Sequence, residues 1–433
     1  MTASTAQAAA DTRRERVILL VLAAVQFTNI VDFMILMPLG PQLFRTMGIN
    51  ERQFGGVVSA YTFSACLAGL AAALFVDRFD RKRSFLVAYA GFLVGTACCG
   101  LVNGYLPLLA ARVFTGAFGG VIGGMAMAII GDVFPENRRG AATGALMSAF
   151  ALASVAGVPA GLYLGTKYDW HAPFLALTAL ATLILPAAVW ALPNLRTHLD
   201  AVARETDSPL RRLATTIIEP DHLRAFALII TLMLGGFLVI PFISPYYVAN
   251  VGLREADLPA IYAAGGFLTL FAAPLIGRLA DHYGKLRVYL IVAPVAGVMM
   301  VIITNLPRVP VWVAVAAFAG LMVGNAGRMV VAMAMVTSCV EPRRRGGFMS
   351  VNAAVQHLAT GLGAFLGGLI VRRAADGTFL HFDRVGYLAL ASTVASLFLA
   401  RRLRSYAPSI PVADCVAADL DGPTAVPLAG LVD

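Results

Sequence analysis

Charge is scarce in this chain: 13% of its 433 residues are Asp, Glu, Lys or Arg, whereas a soluble domain carries about 25%. With 59% of residues hydrophobic, too little polar surface remains to coat a fold in water. Two catalytic signatures are missing. No GxxxxGK[ST] string cradles a nucleotide phosphate and no HExxH string holds zinc, so ATP-driven and zinc-protease chemistry have no motif. Only five cysteines occur, Cys66, Cys98, Cys99, Cys339 and Cys415, at spacings that fit neither a metal site nor a disulfide framework. They read as small packing residues, and no cofactor or metal is called for. The net charge of +9 falls in short clusters between apolar runs, which argues against a nucleic-acid surface. A cleavage site is lacking too. After Arg13-Arg-Glu-Arg16 the apolar run simply continues, as in an uncleaved first span.

What the chain has is apolar segments of the roughly 20 residues that a membrane-crossing helix needs. On that length, twelve helices are expected, an all-α membrane protein in two six-helix halves. The first six fall at 17–44, 53–76, 84–104, 106–130, 141–166 and 173–195. The second six fall at 225–247, 258–280, 288–306, 310–339, 348–371 and 385–401. The domain expectation is thus an N-terminal arm at 1–16, halves at 17–195 and 225–401, a polar linker at 196–224, and a disordered tail at 402–433. Of the 33 Lys and Arg residues, 23 lie on the side of the termini and linker, eight on the other side and two inside spans. The excess predicts a multi-pass inner-membrane protein with both termini in the cytoplasm.

The two halves carry one charged turn each. Asp77-Arg-Phe-Asp-Arg-Lys-Arg83 follows the second apolar run, and Asp281-His-Tyr-Gly-Lys-Leu-Arg287, introduced by Gly277-Arg-Leu-Ala280, follows the eighth. Behind them come Arg138-Arg139-Gly140 and Arg344-Arg345-Gly346, at nearly equal distances from their turns. Duplication on this scale inside an apolar chain is the mark of a transporter built from two related halves.

The spans, linker and duplicated turns together resemble the major facilitator superfamily, whose loop pattern is G-x-x-x-D-R-x-G-R-[KR]. Asp77, Arg78, Arg81 and Lys82 match in the first copy; Ala73 and Asp80 replace its glycines. The second copy keeps Gly277, Asp281, Gly284 and Lys285, with His282 where Arg is usual. Asp80 is expected to take the left-handed turn in place of glycine. The resemblance implies that Asp77 faces the N-terminus of span 11 and that Arg81 pairs with Asp132. That would form a cytoplasmic latch closed while the outside is open. The alternative is a solvated basic loop that serves topology alone. In span 4, Arg112 with Gly116 resembles the family's R-x-x-x-G pattern. In span 5, Gly157, Pro159 and Gly161 resemble the antiporter signature in the G-V-P-x-G form of drug and arabinose efflux relatives, without its usual G-P-x-x-G-G spacing. A plain packing groove would use the same residues.

Ionisable residues inside a bilayer cost about 2.5 to 3.5 kcal/mol each on insertion scales, so they are functional candidates. Asp32 and Arg112 lie at depths that differ by about one helical turn, and the resemblance implies that their spans line one cavity. A desolvated carboxyl favours its neutral form, and a nearby guanidinium favours the ionised one. The pair is therefore expected to be a proton switch, against the alternative of a fixed structural pair. Arg328 in span 10 adds a second guanidinium, which suggests neutral or anionic substrates; backbone carbonyls could equally satisfy it. Gln26, Asn29, Asn325, Asn352, Gln356 and His357 complete the candidate substrate cavity, each also able to serve as interhelical glue. Tyr61, Phe242, Tyr246 and Tyr247 are candidates for aromatic walls or belt positions.

The expectation is a monomeric secondary transporter, not an enzyme, that exports a drug-like, sugar or metabolite substrate in exchange for protons. Uptake of an organic acid or sugar by proton symport, and a non-transporting sensor on the same scaffold, are the alternatives.

Overall fold

A computed structural model describes residues 2–75, 78–195, 209–341 and 345–403. Within them, eleven helices are long and apolar enough to cross a membrane. They are Arg13–Ile35, Glu51–Phe75, Tyr105–Val133, Arg138–Lys167, Ala172–Ala191, Pro220–Val251, Glu255–Tyr283, Lys285–Thr304, Val311–Ser338, Arg345–Ile370 and Phe382–Arg401. A twelfth helix, Arg81–Cys99, opens on three basic residues and packs along Tyr105–Val133 and Ala172–Ala191. Counted in chain order it is span 3, and the rest are spans 1, 2 and 4 to 12. Consecutive spans run in opposite directions, so the chain ends and the linker share one end of the bundle, here the linker end. Its opposite is the far end.

The outer faces of the spans carry large exposed apolar side chains, among them Leu67, Val87, Leu183, Ile291 and Phe398. Trp190 and Trp312 are 80% and 71% exposed and sit at opposite ends of the bundle, as aromatic belt residues do. Such a surface suits lipid. The protein is a multi-pass membrane protein.

Span 1 corrects its expected end. The helix stops at Ile35, not at 44, because Leu36-Met-Pro-Leu-Gly-Pro41 carries two prolines without N–H groups. A turn over 36–39 then leads into the short helix Gly40–Met47, whose first residues are buried. Span 7 bends for the same reason. It passes from α-helix at Val239 into a 3-10 turn Ile240–Phe242 at Pro241, then into the π-turn Tyr247–Val251. Two elements went unforeseen: a linker helix, Pro209–Ile218, and a small hairpin pairing Arg372–Arg373 with Phe379–Leu380. Span 7 opens at Pro220, so its first turn lies inside the stretch assigned to the linker. The tail from 404 onward lies outside the described residues.

Spans 2 and 11 form one seam between the halves, spans 5 and 8 the other. Their closest approaches lie from the far end to mid-bundle. At the far end a Cβ on Gly55 would stand 2.7 Å from the carbonyl oxygen of Ala364 and 3.2 Å from the Cα of Gly368. Only glycine allows that contact. Mid-bundle, Gly361 meets Thr62 and Phe63, and Gly266 meets the backbone of Ser154. Two ion pairs clasp the far end across the halves: Arg45 with Glu255, and Arg373 with Glu51 at 3.5 Å. Beside Glu255, the Arg45 guanidinium is held above its ordinary pKa, mainly by the hydrogen bond between them.

Candidate functional site

The duplicated turns repeat their contacts as well as their letters. Arg81 pairs with Asp132 and donates to the carbonyl of Ala128 at 3.5 Å; Lys285, its counterpart, donates to the carbonyl of Ala334 at 3.2 Å. Arg139 Nε donates to the carbonyl of Phe134 at 2.9 Å, and Arg345 Nε to that of Val340 at 3.4 Å. In both halves a cation thus neutralises the carbonyl-rich C-terminus of span 4 or 10, where the helix dipole is negative. Arg138 also reaches Glu15 on span 1 at 2.8 Å. Arg78, Gly277 and Asp281 are solvent-facing or partly so. Asp77 lies outside the described residues, and with it the expected contact to span 11.

Asp80 does not replace a left-handed glycine. Its φ is −59°, and its carboxylate accepts the N–H groups of Lys82 and Arg83, so it serves as the N-cap of span 3. Gly284 in the second copy takes φ +96°, a conformation that favours glycine.

Asp32 and Arg112 meet. Arg112 Nη1 donates to Asp32 Oδ2 at 2.7 Å, and Thr96 Oγ1 on span 3 donates to Oδ1 at 3.0 Å. Both charged residues are enclosed, at 0% and 1% exposure. Because span 1 ends early, Asp32 lies in the last turn of its helix rather than mid-span. The Tyr61 ring lies 4.6 Å from the Arg112 guanidinium. That approach depends on Gly116, one turn past Arg112, where any Cβ would strike the Tyr61 backbone. Tyr61 OH donates to Asn29 Oδ1 at 2.7 Å, and Asn29 Nδ2 donates to the Gly119 carbonyl at 3.0 Å. Tyr61 is therefore part of the charged cluster, not a belt residue. Thr96 was missed, since a threonine in an apolar run looks like any small packing residue.

The Phe33 ring packs at a tilt on Tyr61, centroids 5.4 Å apart, and on Phe237 of span 7 at 5.9 Å, so aromatic contact runs from the ion pair across to the other half. The remaining candidates are dispersed. Gln26 lies over Gly123, with its Oε1 buried and unpaired. Asn352 and Gln356 both turn toward the Met333 sulfur, at 3.8 and 4.0 Å. His357 is partly buried with no hydrogen-bond partner among the described residues. Phe242 packs on Phe54 at 5.7 Å, while the Tyr246 and Tyr247 hydroxyls donate to the carbonyls of Leu306 and Ala314.

Arg328 is 2% exposed and points among spans 7, 10 and 12. It donates to Thr393 Oγ1 and to the Leu232 carbonyl, each at 3.3 Å. Both arginines are buried in this conformation. Packing encloses them.

Gly157, Pro159 and Gly161 shape span 5. Pro159 has no N–H to continue the α ladder, and a π-turn runs over Ala153–Gly157 just ahead of it. A Cβ on Gly157 would come within 2.3 Å of Val31, and one on Gly161 within 2.6 Å of Ile35, so span 1 lies in a glycine groove.

The profile of the Major Facilitator Superfamily matches residues 22–225 and 225–412, once for each half. The chain belongs to that superfamily, and it is a transporter of small-molecule substrates rather than an enzyme. It is 22% identical to the AraJ protein of Escherichia coli (strain K12) over 374 residues, 86% of this chain and 92% of that one. It is 24% identical to the inner membrane transport protein YdhP of the same strain over 351 residues, 79% and 86% of the two chains. Among solved structures, a D-xylose-proton symporter superposes with a TM-score of 0.72 at 14% identity, covering 90% of this chain and 99% of that one.

Proposed function

We propose that the protein is a proton-coupled exporter that exchanges protons for a small molecule by alternating access. The linker end faces the cytoplasm, and Asp32 carries the proton. The sealed pair of Asp32 and Arg112 is the observation that carries this reading, for Asp32 is the only carboxylate of zero exposure among the described residues. While Arg112 contacts the carboxylate, its positive charge opposes protonation there. If span 4 moves relative to span 1, the guanidinium withdraws and the enclosed carboxyl gains a proton instead. Proton binding and the Arg112 contact are then mutually exclusive, and linkage to substrate follows if substrate selects one arrangement. In this orientation the far-end clasp of Arg45 with Glu255 and Arg373 with Glu51 lies on the outside. The likeness of Gly157, Pro159 and Gly161 to the antiporter signature supports export over uptake.

Proteoliposomes enclosing a pH-sensitive dye test the direction. Pools of drug-like compounds, sugars and organic acids are added outside in the absence of an imposed gradient. Entry by exchange expels protons and makes the interior more alkaline, whereas symport makes it more acid. Alkalinisation in the wild type, absent from Asp32→Asn, is expected. Acidification would establish uptake by symport, and an Asp32→Asn signal equal to wild type would remove Asp32 from the mechanism.

A further inference from the structure

The two halves treat their buried arginines differently. Arg112 has a carboxylate, an aromatic face and an enclosed network. Arg328 has no acidic partner among the described residues; its two hydrogen bonds are long, at 3.3 Å each, and its Nε, like that of Arg112, is buried with no partner. The Tyr289 hydroxyl near it is engaged elsewhere, donating to Ser396 Oγ at 2.8 Å. One turn earlier on the same helix face, Asn325 has both its amide nitrogen and its amide oxygen buried and unpaired. Across from the guanidinium stands Gly236 of span 7, where a Cβ would lie 3.1 Å from Nη2.

An uncompensated cation in a membrane interior is costly and is retained where something uses it. The unpaired Arg328 Nε and Asn325 amide are also costly, because each orphaned polar atom forfeits its hydration. We propose that Arg328 and Asn325 form a receptor for an anionic group of the transported molecule, a carboxylate on a small organic acid. The free Nε and the loosely held Nη2 make one edge of the guanidinium, the edge that binds a carboxylate through two parallel hydrogen bonds. Asn325 Nδ2 supplies a third donor to the same anion. The lack of a Cβ at Gly236 leaves Nη2 unobstructed by a side chain on that side. The N-terminal half then carries the proton and the C-terminal half carries the substrate charge. The proposal deepens the transport reading by naming a substrate class, and it rests on that reading only for the word substrate.

The test needs no gradient, so a failure of proton coupling would leave its outcome intact. Thermal unfolding of the purified full-length protein is followed at neutral pH with benzoate, gluconate or lactate, each against benzamide, glucose or lactamide. At least one acid is expected to raise the midpoint by several degrees where its uncharged counterpart does not. Arg328→Gln is expected to abolish the shift, and Arg328→Lys to weaken it, since an ammonium lacks the two-donor edge. Without ligand, Arg328→Met should unfold no earlier than wild type, because no charged partner is stranded and the Thr393 hydroxyl keeps its bond to the Ala389 carbonyl. No shift with any acid, a shift that survives in Arg328→Gln, or early unfolding of ligand-free Arg328→Met would each overturn the proposal.

Discussion

Asp32 and Arg112 stabilise each other only as a pair. Two opposite charges removed from water can be matched by apolar residues of similar size, but removal of one partner strands the other, at a cost of about 3–5 kcal/mol. Asp32→Asn alone should therefore destabilise the protein by that order, and Asp32→Asn combined with Arg112→Met should recover most of the loss in thermal unfolding. A double variant no more stable than the single one would show that the two side chains do not depend on each other. Tyr61→Phe should be milder. It keeps the ring over Arg112 and loses one buried hydrogen bond to Asn29, worth about 0.5–1.5 kcal/mol. The sequence already marked Asp32 and Arg112, since charge inside an apolar run is conspicuous. Thr96 and Tyr61 stayed unread as partners because nothing in a hydroxyl's spacing reveals which helix it faces.

At the scale of elements, span 5 joins its neighbours through absence of side chains. With Val31 so close, Gly157→Ala forces either span to shift, at about 1–3 kcal/mol of overpacking cost. A Gly157→Ala protein of wild-type midpoint would mean that the groove relaxes freely. The capping arginines Arg139 and Arg345 occupy equivalent places, so Gln at either position should loosen the end of span 4 or span 10 alike, read as faster amide exchange there. At the hairpin, Asp376 accepts the hydroxyl and the amide of Thr378 at 2.6 and 3.0 Å, and these bonds hold its carboxyl below the usual range. A lowered folded value means that the contribution is present above the ordinary Asp pKa of about 3.9 and lost as pH falls through the lowered one. Protection of the Thr378 amide should therefore persist as pH falls from 7 to about 4, close to where an ordinary Asp carboxyl is half protonated. The repeated turns were legible as letters, and the twelve spans as apolar runs. The early stop of span 1 was less legible, because an apolar run continues through Pro38 and Pro41 while the backbone hydrogen bonding does not. The Pro209–Ile218 helix hid in a segment whose polarity reads as linker.

The whole molecule is held at its far end by two ion pairs, the Gly55–Gly368 approach and the rings of Phe44, Phe54, Phe242 and Phe379. Surface ion pairs contribute only about 0–1 kcal/mol each, so the glycine and aromatic seam carries most of the closure. Arg45→Glu reverses one clasp into repulsion and should shift the population toward far-end opening, seen as longer electron-spin distances between labels on the two halves. Unchanged distances would leave the clasp without a role. Phe33 links the ion pair to Phe237 across the halves, and Phe33→Ala should weaken coupling by about 0.5–2 kcal/mol while the protein still folds.

The central claim is that Asp32 changes protonation as the halves move. Infrared difference spectroscopy reads it directly on protein with Arg45→Cys and Glu255→Cys, locked at the far end by a reducible bis-thiol cross-linker and then released by reduction. We expect a carbonyl band of a protonated carboxyl to change on release and to be missing when Asp32→Asn is added. A spectrum unaltered by release, or a band that persists without Asp32, would contradict the account.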